Sequence, residues 1–273
     1  MRYIFTIILI LILSQFVIGQ STVQFEIEEI FINDSSDFKS STDFERLDSA
    51  FFQDEDYYVR RTCHGEFGGS IWFRNKKTGI EYSCAATCPV IVNKIKNKYI
   101  VTTSLSHFQG FSSVFEIENP DSMDVFQKPE LERVISKWGW KKRRFTKWGF
   151  RKVFYANSAG DLESKSRKGS NSLLDTAGVT ILLSFPYKEH LYHIVSDSKT
   201  LYLSKLENNM LTTIDTIYVG LDNFHKVDNE IRYIYSTKGF ETKDNHHIVL
   251  FENSGLVGFL DIHDNKIKLT RYQ

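Results

Sequence analysis

This chain has no net charge and contains little proline or cysteine. Its 34 Lys and Arg residues balance 34 Asp and Glu residues, and it contains only four Pro and three Cys. Binding to nucleic acid requires a basic surplus, so this balance argues against nucleic acid as the main partner. Aromatic residues, in contrast, make up 14% of the chain and include 22 Phe and 13 Tyr. Together with many Val, Ile and Thr residues, they favour strands.

Long apolar segments are absent beyond the N-terminus. There, Arg2 precedes an apolar run from Tyr3 to Leu13, and small residues follow near Gly19. This order is typical of a secretory signal. The apolar run of 11 residues is shorter than the roughly 20 that span a bilayer, which disfavours the alternative of an uncleaved anchor. We therefore predict a signal peptide at 1–19, a mature chain at 20–273 without stable membrane insertion, and a secreted or periplasmic location.

Three cysteines, Cys63, Cys84 and Cys88, would meet an oxidising environment after export. Two of them can then pair and leave one free. Cys84 and Cys88 flank a short Ala-Ala-Thr segment and are the first predicted pair, while Cys63 with Cys88, across a hairpin, is the alternative. With His64 added, the spacing does not match a standard zinc site. A disulfide is therefore predicted in preference to a metal site, and no cofactor is expected.

Alternation and turn residues predict strands along most of the mature chain. Residues 23–32 begin with strict apolar and polar alternation, which indicates a half-buried strand, whereas residues 33–47 are polar and typical of a loop. The clearest hairpin spans residues 68–84, where a polar turn ending in glycine separates two aromatic arms. Pairing Phe73 with Glu81 in that hairpin would bring Cys63 near Cys88.

A weak repeat runs through the chain and consists of an apolar strand, a short polar turn and a strand bearing Tyr. Three copies start at Val90, Leu182 and Phe224. A set of about five units of 42–46 residues matches a β-propeller, whose last blade is usually completed by a strand from one terminus. We predict one all-β, β-propeller-like domain of about five blades, with the strand at 23–32 in the last blade. A β-sandwich is the alternative.

Residues 65–123, from GEFGGSIWF to NPDSM, resemble segments of uncharacterised exported proteins of Bacteroidetes. The resemblance covers under a quarter of the chain. It implies export and a propeller-like fold, and it implies no activity.

Candidate catalytic residues are few and have little support from motifs. His107 interrupts a strand-rich unit and could act as an acid, base or ligand at the mouth of a central channel, although a hydrogen-bonded structural role is the alternative. Glu66 and Asp222 are carboxylates of the kind that a glycoside hydrolase needs. The chain lacks a Gly-x-Ser-x-Gly elbow, a His-Glu-x-x-His motif and a P-loop, which disfavours an enzyme.

Histidines give a further, weaker interpretation as metal ligands. His193 and His225 lie at comparable positions of the repeat and could converge with Glu66 and His107 on a propeller axis. Any residue of an inner strand would lie there, so this pattern has low specificity. The adjacent His246 and His247 would point to opposite faces of a strand, which disfavours joint ligation. We therefore predict no metal site.

Residues 137–152 form a stretch rich in Trp, Lys and Arg that contains no acidic residue. Aromatic faces stack on sugars, and Lys and Arg pair with phosphate or carboxylate groups of envelope polysaccharide. The alternative is a solvated loop whose Trp rings are packed inside. The predicted binding residues are Trp138, Trp140, Lys141, Lys142, Arg143, Arg144 and Trp148.

These observations favour an exported binding or interaction module whose partner is a glycan or another envelope protein. The runner-up is a secreted glycoside hydrolase-like enzyme that uses Glu66, Asp222 and His107. A structural envelope protein is the third option. The missing catalytic motifs and the aromatic, basic stretch place the binding module first.

Overall fold

The structure is a computed structural model of the chain. It describes residues 24–33, 39–40, 42–45, 51–63, 68–105, 110–127, 163–197, 199–221, 238–251 and 256–272, and the backbone of the short strands within 133–155 and 224–233. These residues form strands and a single 3-10 turn at Pro120–Ser122, so the predicted all-β class is confirmed. No helix among them is long and apolar enough to cross a membrane.

The strands are numbered in chain order. The first thirteen are β1 (Glu26–Ile32), β2 (Phe52–Gln53), β3 (Tyr57–Arg61), β4 (Ser70–Asn75), β5 (Glu81–Ala85), β6 (Pro89–Ile95), β7 (Lys98–Leu105), β8 (Phe111–Ile117), β9 (Asp124–Val125), β10 (Arg133–Ile135), β11 (Arg144–Thr146), β12 (Gly149–Arg151) and β13 (Val153–Tyr155). The others are β14 (Asn171–Ala177), β15 (Thr180–Tyr187), β16 (His190–Ser196), β17 (Thr200–Glu207), β18 (Met210–Val219), β19 (Phe224–Val227), β20 (Glu230–Tyr233), β21 (Lys238–Glu241), β22 (His247–Phe251), β23 (Gly258–His263) and β24 (Lys266–Tyr272).

Four large sheets contain most of these strands. Sheet I has the order β2-β3-β4-β5-β9, sheet II β14-β8-β7-β6, sheet III β15-β16-β17-β18, and sheet IV β1-β24-β23-β22-β21. The remaining strands form the pairs β10–β13, β11–β12 and β19–β20. Each large sheet is therefore built mainly from strands that are close in sequence, as hairpin repeats predict.

Both ends of the chain contribute to sheet IV. Strand β1 pairs in parallel with β24, and Ile27 lies opposite Ile267. The predicted strand at 23–32 thus joins the sheet formed by the C-terminal strands. This pairing fixes the N-terminal segment to the last sheet, as the sequence predicted.

The hairpin of β4 and β5 differs from its predicted register by one residue. Phe73 lies opposite Tyr82 instead of Glu81. The side-chain carbonyl of Asn75 accepts hydrogen bonds from the N–H groups of Lys77 and Thr78, at 2.9 and 3.0 Å. Because this Asn-based turn closes on Asn75, it sets the register of the whole hairpin.

Hydrophobic clusters join the large sheets face to face in sequence order. One cluster lies between sheets I and II, a second between sheets II and III, and a third between sheets III and IV. Full burial of one large apolar side chain stabilises the fold by about 1.5–3 kcal/mol. Each cluster has members from both of its sheets: Phe73 and Phe115 in the first, Val114 and Ile181 in the second, and Leu183 and Leu260 in the third.

The edge strands β6, β15 and β21 of sheets II, III and IV meet one another. The Asn93 side chain, on β6, donates a hydrogen bond of 3.1 Å to the Ser184 carbonyl of β15. On β21, a Cβ atom at Gly239 would lie 2.7 Å from the Leu182 carbonyl of β15, so only glycine allows this approach. One face of sheet IV packs on sheet III. The candidate site described below lies on its other face.

Candidate functional site

Most of the site residues predicted from sequence lie outside the described part of the chain. They are Glu66, His107, Asp222, Trp138, Trp140, Lys141, Lys142, Arg143 and Trp148. Arg144 belongs to β11, for which the structure describes only the pairing with β12. The roles assigned to these residues stay predictions.

The predicted disulfide is present, but in the alternative pairing of Cys63 with Cys88. The first predicted pair, Cys84 with Cys88, is wrong because Cys84 on β5 points into the core between sheets I and II. Burial raises the pKa of the Cys84 thiol to about 11. This thiol therefore stays protonated and unreactive at neutral pH.

His193 lies in the interior and is closed to ligands. Its Nδ1 atom is 2.7 Å from Ser184 Oγ, which is 2.8 Å from Thr102 Oγ1, and all three side chains are buried. Burial lowers the pKa of His193 to about 3, so the ring is neutral. The chain of hydrogen bonds links sheet III to sheet II. In the part of the protein that the structure describes, no three metal-ligating side chains converge.

The outer face of sheet IV, which points away from sheet III, has a mixed character. Side chains alternate along a strand, so Phe259 and Asp261 lie on this face while Leu260 is buried against sheet III. Thr270 and Lys268 of β24 lie opposite Phe259 and Asp261, respectively. The face is therefore apolar at one end and polar at the other.

A short segment crosses this face, and we call its described residues, 39–40 and 42–45, the strap. At one end, the Lys39 N–H donates a hydrogen bond of 2.9 Å to Tyr272 Oη. At the other end, the Lys243 N–H donates to the Glu45 carbonyl at 3.1 Å, and the Lys243 ammonium lies 3.5 Å from the Glu45 carboxylate. A segment whose sequence predicts a loop is thus attached to sheet IV at two points.

Phe44 anchors the middle of the strap. Its ring makes edge contacts with Phe259 and Phe240, with centroid distances of 5.3 and 5.8 Å. Such aromatic pairs contribute about 0.5–1.5 kcal/mol each beyond the area that they bury. The Lys39 ammonium lies 5.7 Å from the Phe44 centroid and 5.8 Å from that of Phe259, which places a positive charge beside the rings.

Two cavities of about 600 and 480 Å³ adjoin the strap. Both volumes fall in the range of about 300–1,000 Å³ that is typical of small-molecule sites. Because the cavities share Lys39, Asp43, Phe44 and Asp261, we treat them as two halves of one strap cleft. Additional residues in the larger half include Ile30, Lys268, Thr270 and Tyr272, and those in the smaller half include Thr242, Asp244, His246 and Ile248.

His246 and Asp261 form a close pair in the smaller half of the strap cleft. His246 Nδ1 lies 2.6 Å from Asp261 Oδ1, and His246 Nε2 lies 3.8 Å from Asp244 Oδ2. The ring stacks on His263, with centroids 4.4 Å apart and planes inclined by 14°. The neighbouring His247 is buried toward sheet III, so the prediction that these adjacent histidines point to opposite faces is confirmed.

Two carboxylates in the strap cleft have lowered pKa values. The backbone N–H of Ser40 donates a hydrogen bond of 2.5 Å to Asp43 and lowers the pKa of that carboxyl. The Thr242 hydroxyl, 2.5 Å from Asp244, lowers the pKa of Asp244 in the same way. Both groups are therefore ionised at neutral pH.

No family model matches the chain, and no curated protein is significantly similar to it. Sequence patterns also did not single out the strap cleft. One sequence feature could have indicated the cleft: every second residue of β23 is Phe259, Asp261 and His263, so aromatic and ionisable groups share one face of the strand. The assignment of function therefore depends on the geometry of the cleft.

Proposed function

We propose that this protein is an exported, β-propeller-like binding module that holds a glycan, free or on another envelope component, in the strap cleft. The observation that carries the proposal is the combination of aromatic rings and ionised groups around the shared residue Asp261. The partly buried Phe44 lines both halves of the cleft, where its aromatic ring can contact a sugar. Carboxylates and ammonium groups beside it can accept and donate hydrogen bonds to sugar hydroxyls.

The charge of the lining favours an uncharged ligand. Positive and negative groups line both halves of the cleft; the two signs balance in the larger half, and carboxylates outnumber ammonium groups in the smaller half. They are Lys39, Lys243 and Lys268 against Asp43, Glu45, Asp244 and Asp261. A strongly charged ligand would meet repulsion from one of these sets, whereas a neutral sugar would use both.

Three features support a propeller-like arrangement of the sheets. Large sheets follow one another in sequence order and pack face to face. The edge strands β6, β15 and β21 of sheets II, III and IV meet, which resembles the inner strands of blades around an axis. The N-terminal and C-terminal strands share sheet IV, as closure of a propeller requires.

Replacing Phe44 by Ala is expected to weaken glycan binding about 10-fold. One aromatic stacking contact is worth roughly 1.5 kcal/mol, which corresponds to a factor of about ten in Kd. Ligands would be found by screening the purified exported protein on a glycan array. The affinity of each hit would then be measured by titration calorimetry for the wild type and for Phe44→Ala.

The matched control for this experiment is Phe111→Ala, because Phe111 is a partly exposed aromatic residue on sheet II. Equal affinities for Phe44→Ala and wild type would contradict binding in the strap cleft. Replacing Lys141, Lys142, Arg143 and Arg144 by Ala tests the basic stretch separately. If the quadruple variant loses binding and Phe44→Ala does not, the glycan site lies in the basic stretch and not in the strap cleft.

We also propose export by cleavage after Gly19. The disulfide between Cys63 and Cys88 supports a compartment outside the reducing cytoplasm. N-terminal sequencing of the mature protein is expected to begin at Gln20. A sequence that begins at Met1 in protein recovered from the membrane fraction would favour the uncleaved anchor instead.

A further inference from the structure

The strongest unassigned chemistry in the described residues is the pair of His246 and Asp261. An ionised carboxylate can only accept a hydrogen bond, so a carboxylate 2.6 Å from Nδ1 requires the proton on that nitrogen. The neutral ring then carries its lone pair on Nε2. A carboxylate that fixes a histidine in this tautomer is the arrangement by which histidine is prepared to act as a general base.

The free nitrogen of this pair has room for a water molecule. His246 lines the smaller half of the strap cleft together with Asp244 and Asp261. His246 Nε2 and Asp244 Oδ2 are 3.8 Å apart. One water can therefore lie at a hydrogen-bond distance of about 2.8 Å from both atoms. The stacked ring of His263 packs on one side of the imidazole and limits its rotation.

We propose that His246 activates this water to hydrolyse an ester on a glycan held in the strap cleft. This inference depends on the proposed function, because the cleft must first hold the ligand. Water attacks the carbonyl carbon while His246 Nε2 takes one of its protons, and Asp261 stabilises the imidazolium. The tetrahedral intermediate collapses, the bond from carbon to the alkoxy oxygen breaks, and His246 returns the proton to that oxygen. The products are a carboxylic acid and a free sugar hydroxyl.

An ester suits the charges of this site better than other hydrolysable bonds. A phosphodiester would meet repulsion from the surrounding carboxylates, which include Asp43, Asp244 and Asp261. A glycosidic bond is usually cleaved by two carboxyl groups, one of which must be protonated. The carbonyl of an ester is neutral, and Lys39 lines the same half of the cleft, where its positive charge favours the negative charge that develops on the carbonyl oxygen.

The groups that face His246 come from three parts of the fold. Its own turn supplies Lys243 and Asp244, and β23 supplies Asp261 and His263. The strap supplies Lys39, Asp43 and Glu45 on the other side of the cavity.

The test uses p-nitrophenyl acetate as the probe and release of p-nitrophenolate by the exported protein as the readout. His246→Gln is expected to lower kcat/KM about 100-fold, which is the lower range for loss of a general base. Asp261→Asn, at a positioning residue, is expected to lower kcat with little change in KM, because the amide no longer fixes the tautomer. His190→Gln, at an exposed histidine, is the control and should hydrolyse like the wild type.

The rate of a second variant and the rate of free imidazole complete the test. If His246→Gln does not fold by circular dichroism, Asp244→Asn replaces it, since this exposed carboxylate is expected to hold the water and its loss to lower the rate about 10-fold. A wild-type rate no higher than that of free imidazole at equal concentration would overturn the inference, as would equal rates for wild type and His246→Gln. Glycan binding that persists without hydrolysis would overturn this inference alone and leave the proposed function standing.

Discussion

Lowering the pH from 7 to 5 is expected to reduce the free energy of unfolding by about 4 kcal/mol. Two buried histidines account for this loss. Burial lowers the pKa of His193 to about 3, and burial with a smaller contribution from the charge of His246 lowers the pKa of His247 to about 4. Each would lose about 2 kcal/mol of stabilisation at pH 5. The total is a large share of the 5–15 kcal/mol that is typical of folded domains.

The direction of this effect follows from proton binding. In the unfolded chain a histidine has a pKa near 6.5, so it binds a proton as the pH falls through that value. In the folded protein, His193 and His247 stay neutral down to much lower pH. The unfolded state therefore binds more protons in this window, and stability decreases as the pH falls from about 7 towards 4.

The surroundings of the two rings explain why neither can be charged. His193 Nδ1 is occupied by Ser184 Oγ, and no hydrogen-bond partner lies near its buried Nε2 atom within the described residues. His247 lies against the ring of Phe185, with centroids 5.8 Å apart. A charged imidazole at either place would lack the solvation that water gives it in the unfolded chain.

Urea unfolding at pH 7, 6 and 5 measures this prediction. The variant His247→Leu removes one of the two titrating groups and is expected to lose about half of the dependence on pH. His190→Gln, at an exposed histidine, is the matched control and should keep the full dependence. An unchanged dependence in His247→Leu would show that this histidine is not the source.

Asp54 is expected to add to acid destabilisation only at lower pH. Burial raises the pKa of Asp54, but hydrogen bonds from Lys94, Tyr99 and the backbone N–H groups of Tyr57 and Asp56 outweigh that effect and lower it to about 2. A lowered folded-state pKa stabilises the protein above the ordinary value of 3.8, and the contribution is lost as the pH falls towards 2. Asp54 therefore adds little to the change between pH 7 and 5.

Local patterns in the sequence were enough to predict the strands and the sheet that the N-terminal strand joins, but they did not give the register of each strand pair. Alternation at 23–32 indicated the N-terminal strand, and its place beside β24 follows from the need to cover the edge of the last sheet. The turn after Asn75 could be located from its polar residues, but its closure on Ile80 shifted the register by one. Amino-acid composition does not reveal a register shift of one residue, although such a shift reverses which side chains face the core.

The strap cleft was beyond the reach of sequence patterns for a related reason. Residues 33–47 have the composition of a loop, and among the described residues of the strap Phe44 provides the aromatic ring that packs on sheet IV. His246 and Asp261 are far apart in sequence and meet because β22 pairs with β23. Such a site requires knowledge of the register between strands, which a single sequence does not contain.

The disulfide is expected to make a large contribution to the free energy of unfolding, because it joins two sheets. Cys63 follows β3 of sheet I and Cys88 precedes β6 of sheet II, and the two are separated by 25 positions in sequence. A Cβ atom at Gly69 would lie 2.9 Å from the Cys88 nitrogen and 2.8 Å from the Thr62 carbonyl. The glycine thus allows the three segments to meet at this corner of the fold.

Removing the disulfide by the double change Cys63→Ser and Cys88→Ser is expected to lower the free energy of unfolding by about 3 kcal/mol. Closing a loop of this length restricts the unfolded chain by roughly that amount. The control is Cys84→Ala, which removes a buried thiol and is expected to cost only about 1 kcal/mol. Adding a reductant should destabilise the wild type as much as the double change does, and it should leave the double variant unaffected. A larger loss in Cys84→Ala than in the double variant would contradict the assigned pairing, because Cys84 would then be the residue on which the link between the sheets depends.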